Sequence, residues 1–205
     1  KKTPLSAFRN ARLKGIIATT LEEGEMLVGV AVSDGGEDIM LFSDAGKCVR
    51  FSESALRPMG RQAHGVRGMR LDEGQSVISL IVTRDEEKFV LAATEHGYGK
   101  RTPVGEYPRK SRGIRGVIAI STKTRNGRMV SAVLTDPDDE IMMLTTGGKV
   151  VRTSAGDVSV VNRAAMGVRL INPGDDTLAS VRRVEVKSSD DELEKLNIEV
   201  ADEDL

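Results

Sequence analysis

Short apolar runs alternate with polar turns along residues 15–184 of this 205-residue chain. The runs are rich in Val, Ile, Leu and Met and are bounded by Gly, Asp and Asn, which is typical of β-strands joined by tight turns. No window before residue 185 keeps a convincing helical period. The pattern therefore predicts an all-β fold.

The turns recur at a fixed interval, and the interval predicts the architecture. Three glycine turns lie 51 residues apart, at Gly46, Gly97 and Gly148. A second glycine series opens a strand-like run in each repeat, at Gly15, Gly65, Gly116 and Gly167. Four strands in about 50 residues predict a propeller-like blade. We expect about four repeats, near 1–47, 48–98, 99–149 and 150–184, with the first and last incomplete.

Each repeat contains four apolar runs that we predict as strands. First strands are predicted at 15–21, 65–71, 116–122 and 167–173. Second strands are predicted at 26–32, 77–82, 129–134 and 178–184. Third strands are predicted at 38–43, 88–94 and 140–146, and fourth strands at 47–51, 99–103 and 149–153. The third and fourth strands form a hairpin around the glycine turn.

The formal net charge of −1 hides a strong asymmetry. Residues 185–205 hold nine acidic and two basic side chains, whereas residues 1–184 hold 28 basic and 22 acidic ones. A basic body indicates binding to a polyanion. The acidic end is poor in aromatics, and we expect it to be a mobile tail. Two roles are open for it: a solubilising segment with no further function, or a competitor of the polyanion for the basic surface.

Basic residues repeat with the architecture. One series lies four positions after each glycine turn: Arg50, Arg101 and Arg152. Lys2, 48 positions before Arg50, corresponds to the same series. A second series lies in the connections between blades: Arg61, Arg112 and Arg163. Further bases cluster in the same connections: Arg57, Arg67, Arg109, Lys110 and Arg115. We predict that these residues form a basic track on one rim. The alternative for the first series is a set of strand-edge charges that discourage edge pairing.

The residues give little support for catalysis, a metal or a cofactor. Cys48 is the only cysteine, which excludes an intrachain disulfide and indicates a reducing, cytoplasmic compartment. His64 and His96 stand at different points of the repeat and form no ligand pattern. The segment 145–150, TTGGKV, lacks the spacing of a phosphate-binding loop. No run approaches the length of a membrane span.

The small number of aromatic residues indicates which kind of polyanion the chain could bind. The chain has no Trp and six aromatic residues in all, so it offers few rings on which exposed bases could stack. No recognition helix or zinc finger is visible. The remaining candidate is the backbone of duplex DNA, which Arg and Lys would contact independently of base sequence.

Three segments resemble the C-terminal domain of bacterial DNA gyrase A: DIMLFSDAGKCVRFSESALRPMGRQAHGVRGMRL (38–71), EHGYGKRTPVGEYPRKSRGIRGVIAI (95–120) and DDEIMMLTTGGKVVRT (138–153). The resemblance implies a β-pinwheel whose basic rim wraps double-stranded DNA. In the family, wrapping supports ATP-dependent negative supercoiling with the rest of gyrase A and gyrase B, and ATP and Mg act through other domains. No cofactor is therefore expected in this part, which is not itself an enzyme.

The chain also departs from the family pattern. The family domain has six blades, and its Gly-, Arg- and Lys-rich box is absent here. The catalytic tyrosine of the family lies in another domain, so Tyr98 and Tyr107 do not inherit its role. The start, KKTPLSAF, has neither an initiator Met nor a signal peptide, and we expect a piece of a longer chain. Alternatives are the corresponding domain of topoisomerase IV and a propeller that binds an acidic protein.

Overall fold

The structure, a computed structural model, describes residues 1–10, 13–123 and 125–184. The predicted acidic tail, 185–205, lies outside the described residues. Within the described ranges the regular elements are short 3-10 turns and strands, and no helix there could cross a membrane. The strands are β1 (Asp38–Ser43), β2 (Lys47–Ser52), β3 (Val77–Thr83), β4 (Phe89–Thr94), β5 (Tyr98–Pro103), β6 (Val117–Ile118), β7 (Met129–Thr135), β8 (Glu140–Thr145), β9 (Val150–Ser154), β10 (Val168–Arg169) and β11 (Leu178–Val184).

The strands form three antiparallel sheets, which we call the first, second and third blades. Their strand orders are β3-β1-β2-β6, β7-β4-β5-β10 and β11-β8-β9. Each blade is centred on the hairpin around a glycine turn, as the sequence predicts. The inner strands are β3, β7 and β11, and each follows the hairpin of its own blade in the sequence. Strand β7 contacts both β3 and β11.

The outer strand of a blade belongs to the following repeat. Residues Val117 and Ile118 cross back to pair with Cys48 and Lys47 of the first blade, and β10 pairs with β5 of the second blade in the same way. This exchange distinguishes a pinwheel from a propeller with self-contained blades. The prediction of an all-β pinwheel with four-stranded blades is confirmed, and the third blade has three strands among the described residues.

Glycine allows the exchanged strand to approach its partner. Gly116 has a φ of +79°, and a Cβ at this position would overlap the carbonyl of Cys48. Gly167, also at +79°, is similarly close to the carbonyl of Gly99. Only glycine combines a left-handed conformation with so close a contact, so this series marks the crossing points between repeats.

Hydrophobic side chains are buried between blades. Met40 and Phe42 of the first blade pack with Val90 and Ala92 of the second, and the ring of Tyr107 meets Phe42 edge-on with centroids 6.1 Å apart. A second cluster joins the second and third blades through Leu91, Ala93, Ile141, Met143, Leu178 and Val181. Stacking therefore buries both faces of the second blade.

Three predicted strands do not form, at 15–21, 26–32 and 65–71. Each inner strand pairs with a strand that begins about 40 residues earlier in the chain. No strand among the described residues pairs with 26–32, and Met26 is 86 % exposed. The other first strands are shortened to β6 and β10. Beyond Ile118 the backbone leaves the ladder with β2: Ala119 and Ile120 both donate to the carbonyl of Gly46 in the glycine turn, and Ser121 donates to the carbonyl of Ala165.

Candidate nucleic-acid interface

The first basic series ties each blade to the connection that follows it. Arg50 is 3 % exposed and donates from Nη1 to the carbonyl oxygens of Val104 and Tyr107, at 3.0 and 3.1 Å. Arg101 is 6 % exposed and donates from Nε to the carbonyl of Val158 and from Nη2 to that of Gly156, both at 2.9 Å. Both guanidinium groups bind the 3-10 turn that follows the next hairpin.

Carboxylates and burial complete this arrangement. Asp38 and Glu86 accept bonds from Arg50 at 2.7 and 2.6 Å, so its charge is neutralised. Burial lowers the pKa of Arg101, and the Asp157 carboxylate opposes that shift. Arg50 and Arg101 are therefore buried away from solvent, which disfavours the prediction that they contact DNA. The bonded donors of both side chains face protein groups, and Arg101 Nη1 is buried without a partner among the described residues.

Lys2 and Arg152 lie at the two ends of the series, and in the described part of the chain only Lys2 contacts a 3-10 turn. Lys2 Nζ lies 3.0 Å from Glu53 Oε1 and also approaches the carbonyl of Glu53, so it is engaged with the first of these turns. Arg152 makes no bond to such a turn within the described residues. Its side chain is 56 % exposed and pairs instead with Glu140 on the neighbouring strand. Neither residue presents an unpaired charge.

The second series has a different environment. Arg61 donates from Nη1 to the carbonyl of Ile17 at 2.6 Å, and Arg112 donates to the carbonyl of Arg67 at 3.0 Å. Arg163 bonds in the same way to the carbonyl of Ile118. Each guanidinium is half-buried and is held by the backbone of the preceding repeat, 44 or 45 residues earlier. Carbonyl oxygens fix these side chains without neutralising them.

The remaining predicted residues fall into two groups, those that form an ion pair and those that do not. Arg109 bonds to Asp38 at 2.9 Å, which raises the pKa of Arg109, and Arg115 pairs with Asp72 at 2.9 Å. In contrast, Arg67 and Lys110 are exposed and have no carboxylate partner in the described part of the chain. Within these ranges, six predicted residues keep an unpaired charge at or near the surface: Arg57, Arg61, Arg67, Lys110, Arg112 and Arg163.

These unpaired cations lie in or beside the connections between blades, and Arg163 contacts the outer strand β6 through the carbonyl of Ile118. Arg57 and Arg112 line a shallow groove of about 320 Å³ together with Ser54 and Val66. Sequence reasoning missed two further exposed arginines, Arg125 and Arg169. They flank the Tyr98 ring at the edge of the second blade. The signal that could have found Arg125 is its position in a turn that is acidic in the other repeats.

The chain has the strand-exchanged fold of the type IIA topoisomerase C-terminal domains. A family model described as DNA gyrase C-terminal domain, beta-propeller, matches residues 1–34, 37–84, 88–136 and 139–185. The four matched segments cover most of the sequence and follow the repeat. The chain belongs to the DNA gyrase C-terminal domain family, and the predicted resemblance is confirmed.

Relatives match the chain from end to end. It is 45 % identical over 206 residues to the gyrase A protein of Pseudomonas aeruginosa and 47 % identical over 208 residues to that of Salmonella typhimurium. All of this chain is covered, against 22 % and 24 % of those proteins. The chain therefore spans about a quarter of the length of the relatives it matches.

Solved structures agree with the fold. A structure of the DNA gyrase A C-terminal domain superimposes with a TM-score of 0.76 at 26 % identity, covering 84 % of this chain and 59 % of that one. The C-terminal domain of DNA topoisomerase IV gives a TM-score of 0.85 at 24 % identity, covering 96 % and 62 %. At that identity the second match supports the fold alone.

Proposed function

We propose that this chain binds and bends duplex DNA along its outer side, independently of base sequence. The observation that carries the proposal is the second basic series. Arg61, Arg112 and Arg163 are set at intervals of 51 residues and held by main-chain carbonyls. Such guanidinium groups keep their charge and are already positioned, so binding a phosphate costs little side-chain entropy.

A curved set of cations suits a bent duplex. Blades stacked around an axis present the repeated arginines at successive angles, and a straight duplex could contact only part of them. Bending DNA costs free energy, which additional phosphate contacts offset. Phosphate contacts fix the position of a protein on DNA without reading its sequence. The proposal therefore predicts wrapping without base specificity.

In the whole enzyme this binding would serve DNA supercoiling. We infer that the chain acts as the C-terminal domain of gyrase A in the bacterial cytoplasm, at the nucleoid. Its partners there would be double-stranded DNA, the remainder of gyrase A and gyrase B. Wrapped DNA would be delivered to the parts that cleave DNA and use ATP and Mg, so that strand passage yields negative supercoils. This chain would position DNA and perform no catalytic step.

Salt-dependent binding tests the proposal. Affinity for a labelled duplex of about a hundred base pairs is measured by fluorescence anisotropy across a salt series. Five neutralised phosphates predict a slope of log affinity against log salt of roughly −4 to −5. In the double variant Arg112→Gln, Arg163→Gln, the slope should weaken by about 2 units. An affinity that does not depend on salt, or no binding, would refute DNA contact.

A matched variant controls for net charge. The double variant Arg109→Gln, Arg115→Gln removes the same two charges, but from side chains paired with Asp38 and Asp72. We expect it to change the slope less than the first variant. Ligation of nicked circular DNA with the chain then separates wrapping from adhesion, since a wrap changes the linking number of the closed product. An unchanged linking number at saturating protein would contradict wrapping.

A further inference from the structure

The position directly after the glycine turn supplies a positive charge itself in two blades, whereas in the second blade it supplies an aromatic ring that contacts arginines. The residue directly after each glycine turn is Lys47 in the first blade, Tyr98 in the second and Lys149 in the third. Lys47 pairs through its backbone with the outer strand β6, and Tyr98 pairs with Arg169 of the outer strand β10. The second blade thus has an aromatic ring where its neighbours have an ammonium group.

That ring holds two guanidinium groups. The Cζ atom of Arg125 lies 4.5 Å from the centroid of the Tyr98 ring, and that of Arg169 lies 4.7 Å from it. Arg169 Nη2 also donates a hydrogen bond to Tyr98 Oη at 2.6 Å. Contacts of this kind between a cation and an aromatic face are attractive. Tyr98 therefore places two positive charges where the other blades carry one.

Two changes within the repeat bring these arginines to the ring. Arg125 lies in the turn before β7, and the matching turns at 71–75 and 172–176 contain pairs of acids. Arg169 occupies the place of Ile118 in the outer strand. A random basic substitution at either place would not meet the other. Both meet on the one blade whose turn is followed by a tyrosine.

Both arginines keep their charge. In the ranges that the structure describes, neither has a carboxylate ion-pair partner: Arg125 donates to the carbonyl of Gly167 at 3.2 Å, and Arg169 to Asn172 Oδ1 at 3.5 Å. Arg128 lies in the same turn and differs, because it pairs with Asp44 at 2.9 Å. Since a guanidinium has five N–H donors, Arg125 and Arg169 retain donors for a ligand.

The turn that carries Arg125 is fixed by a buried side chain. Asn126 is fully buried, and its Nδ2 donates to the carbonyls of Ser121 and Met166, both at 2.7 Å. The backbone nitrogen of His96 donates to the carbonyl of Asn126 at 3.2 Å, and His96 Nδ1 lies 3.1 Å from the carbonyl of Arg125. A turn held at so many points presents its arginine in one place, as a preformed anion site requires.

We propose that Tyr98, Arg125 and Arg169 form a binding site for backbone phosphate of duplex DNA on the second blade. Arg125 and Arg169 donate to phosphate oxygens, and Tyr98 is a positioning residue that holds both guanidinium groups. Lys47 and Lys149 supply the equivalent, weaker contact on the neighbouring blades. This inference rests on the proposed function and deepens it, because it assigns a contact point that the sequence did not predict.

Charge removal tests the contact. The double variant Arg125→Gln, Arg169→Gln should bind the hundred-base-pair duplex more than about tenfold less tightly at 0.1 M salt, with a slope weaker by about 1.8 units. Arg128→Gln in the same turn is the matched control, and its slope should stay near that of the unmodified chain. If the double variant keeps the unmodified affinity and slope, the phosphate site is disproved.

Variants at Tyr98 test positioning. Tyr98→Phe keeps the ring and should retain affinity within about twofold to threefold. Tyr98→Leu leaves both charges in place but removes the ring, and its affinity should fall about threefold to tenfold. Equal affinity of the Phe and Leu variants, with unchanged thermal unfolding, would overturn the positioning role. Should Tyr98→Leu fail to fold, the arginine variants still decide the site.

The outcome also separates this inference from the proposed function. Salt-dependent binding by the unmodified chain, together with insensitivity to Arg125→Gln, Arg169→Gln, would defeat the site and leave DNA binding by the second basic series standing. Absence of DNA binding by the unmodified chain would defeat both.

Discussion

Arg50 donates a hydrogen bond to the carbonyl oxygen of Tyr107, 57 residues further along the chain, at 3.1 Å. The same separation joins Arg101 to the carbonyl of Val158. Each arginine leaves the fourth strand of one blade and binds the backbone of the connection that follows the next hairpin. Arg50 and Arg101 of the first basic series are therefore links between blades, and they hold the stack in register.

Replacing Arg50 should weaken the fold more than DNA binding. Arg50→Met leaves buried Asp38 with Arg109 as its remaining ion-pair partner among the described residues. Breaking a buried ion pair on one side costs about 3–5 kcal/mol. Arg101→Met, which loses bonds to carbonyls, should cost about 1–3 kcal/mol. Urea unfolding measures both free energies.

Arg112→Gln is the control for that experiment. Arg112 is half-buried and its loss should lower the free energy of unfolding by less than about 1 kcal/mol, while weakening DNA binding. The folded fraction of Arg50→Met should bind DNA with nearly unmodified affinity at low temperature. The opposite pattern, a stable Arg50→Met protein with poor DNA binding, would return Arg50 to the DNA surface and refute the link.

Removing an acid should strengthen DNA binding where that acid neutralises an arginine. Asp72 pairs with Arg115 at 2.9 Å on the surface, and such a pair contributes at most about 1 kcal/mol to stability. Asp72→Asn should leave folding intact and free one cation, so the salt slope steepens by up to about 0.9 unit. Anisotropy titration is the measurement. Asp138→Asn makes the same change of charge at an exposed acid, and an equal effect there would show that only net charge matters.

Strand exchange can be tested at the glycines that open the first strands. A left-handed conformation costs an L-residue about 1–2 kcal/mol. Gly15, with a φ of +76° and open space around it, should show only that cost when replaced by Ala. Gly116→Ala should lose about 1–3 kcal/mol more, because its Cβ would overlap the carbonyl of Cys48. Equal unfolding free energies in the two variants would argue against a tight crossing at Gly116.

The repeat made the blades predictable, and the burial of both strand faces made the sites hard to predict. Runs such as 38–43 form strands at the predicted positions, because each has a partner within the chain. The run 26–32 has equal apolar character, but strand formation depends on a neighbour as well as on composition.

Recurrence alone does not tell whether an arginine points outward. Val49, Arg50 and Phe51 are all buried, since stacked blades cover both faces of β2 and the usual alternation disappears. The role of Arg50 became visible only with its acceptors, Val104 and Tyr107, which lie more than fifty residues away. The unpaired charge of Arg112 likewise depends on which groups its fold brings near.

A lysine occupies an apolar place in the second blade. Lys100 is fully buried and corresponds in the repeat to Val49 and Val151. Its Nζ donates to Thr102 Oγ1 at 2.6 Å. Burial lowers the pKa of Lys100 to about 8, the nearby Glu106 carboxylate opposes that shift, and Arg163 adds to it. Burying a charged amine without a carboxylate bond costs stability.

Lys100→Met should therefore stabilise the protein. Because the folded pKa of about 8 lies below the unfolded value of 10.5, the unfolded chain binds more protons between these values, and stability rises with pH across that window. Below pH 8 the full penalty is present. At pH 7 the free energy of unfolding of the variant, measured in urea, should exceed that of the unmodified chain by about 1–3 kcal/mol. This difference should shrink as pH approaches 10, because Lys100 then becomes neutral and its burial costs less. A variant less stable than the unmodified chain at pH 7, or a gain that does not change with pH, would show that Lys100 is held by interactions stronger than its bond to Thr102.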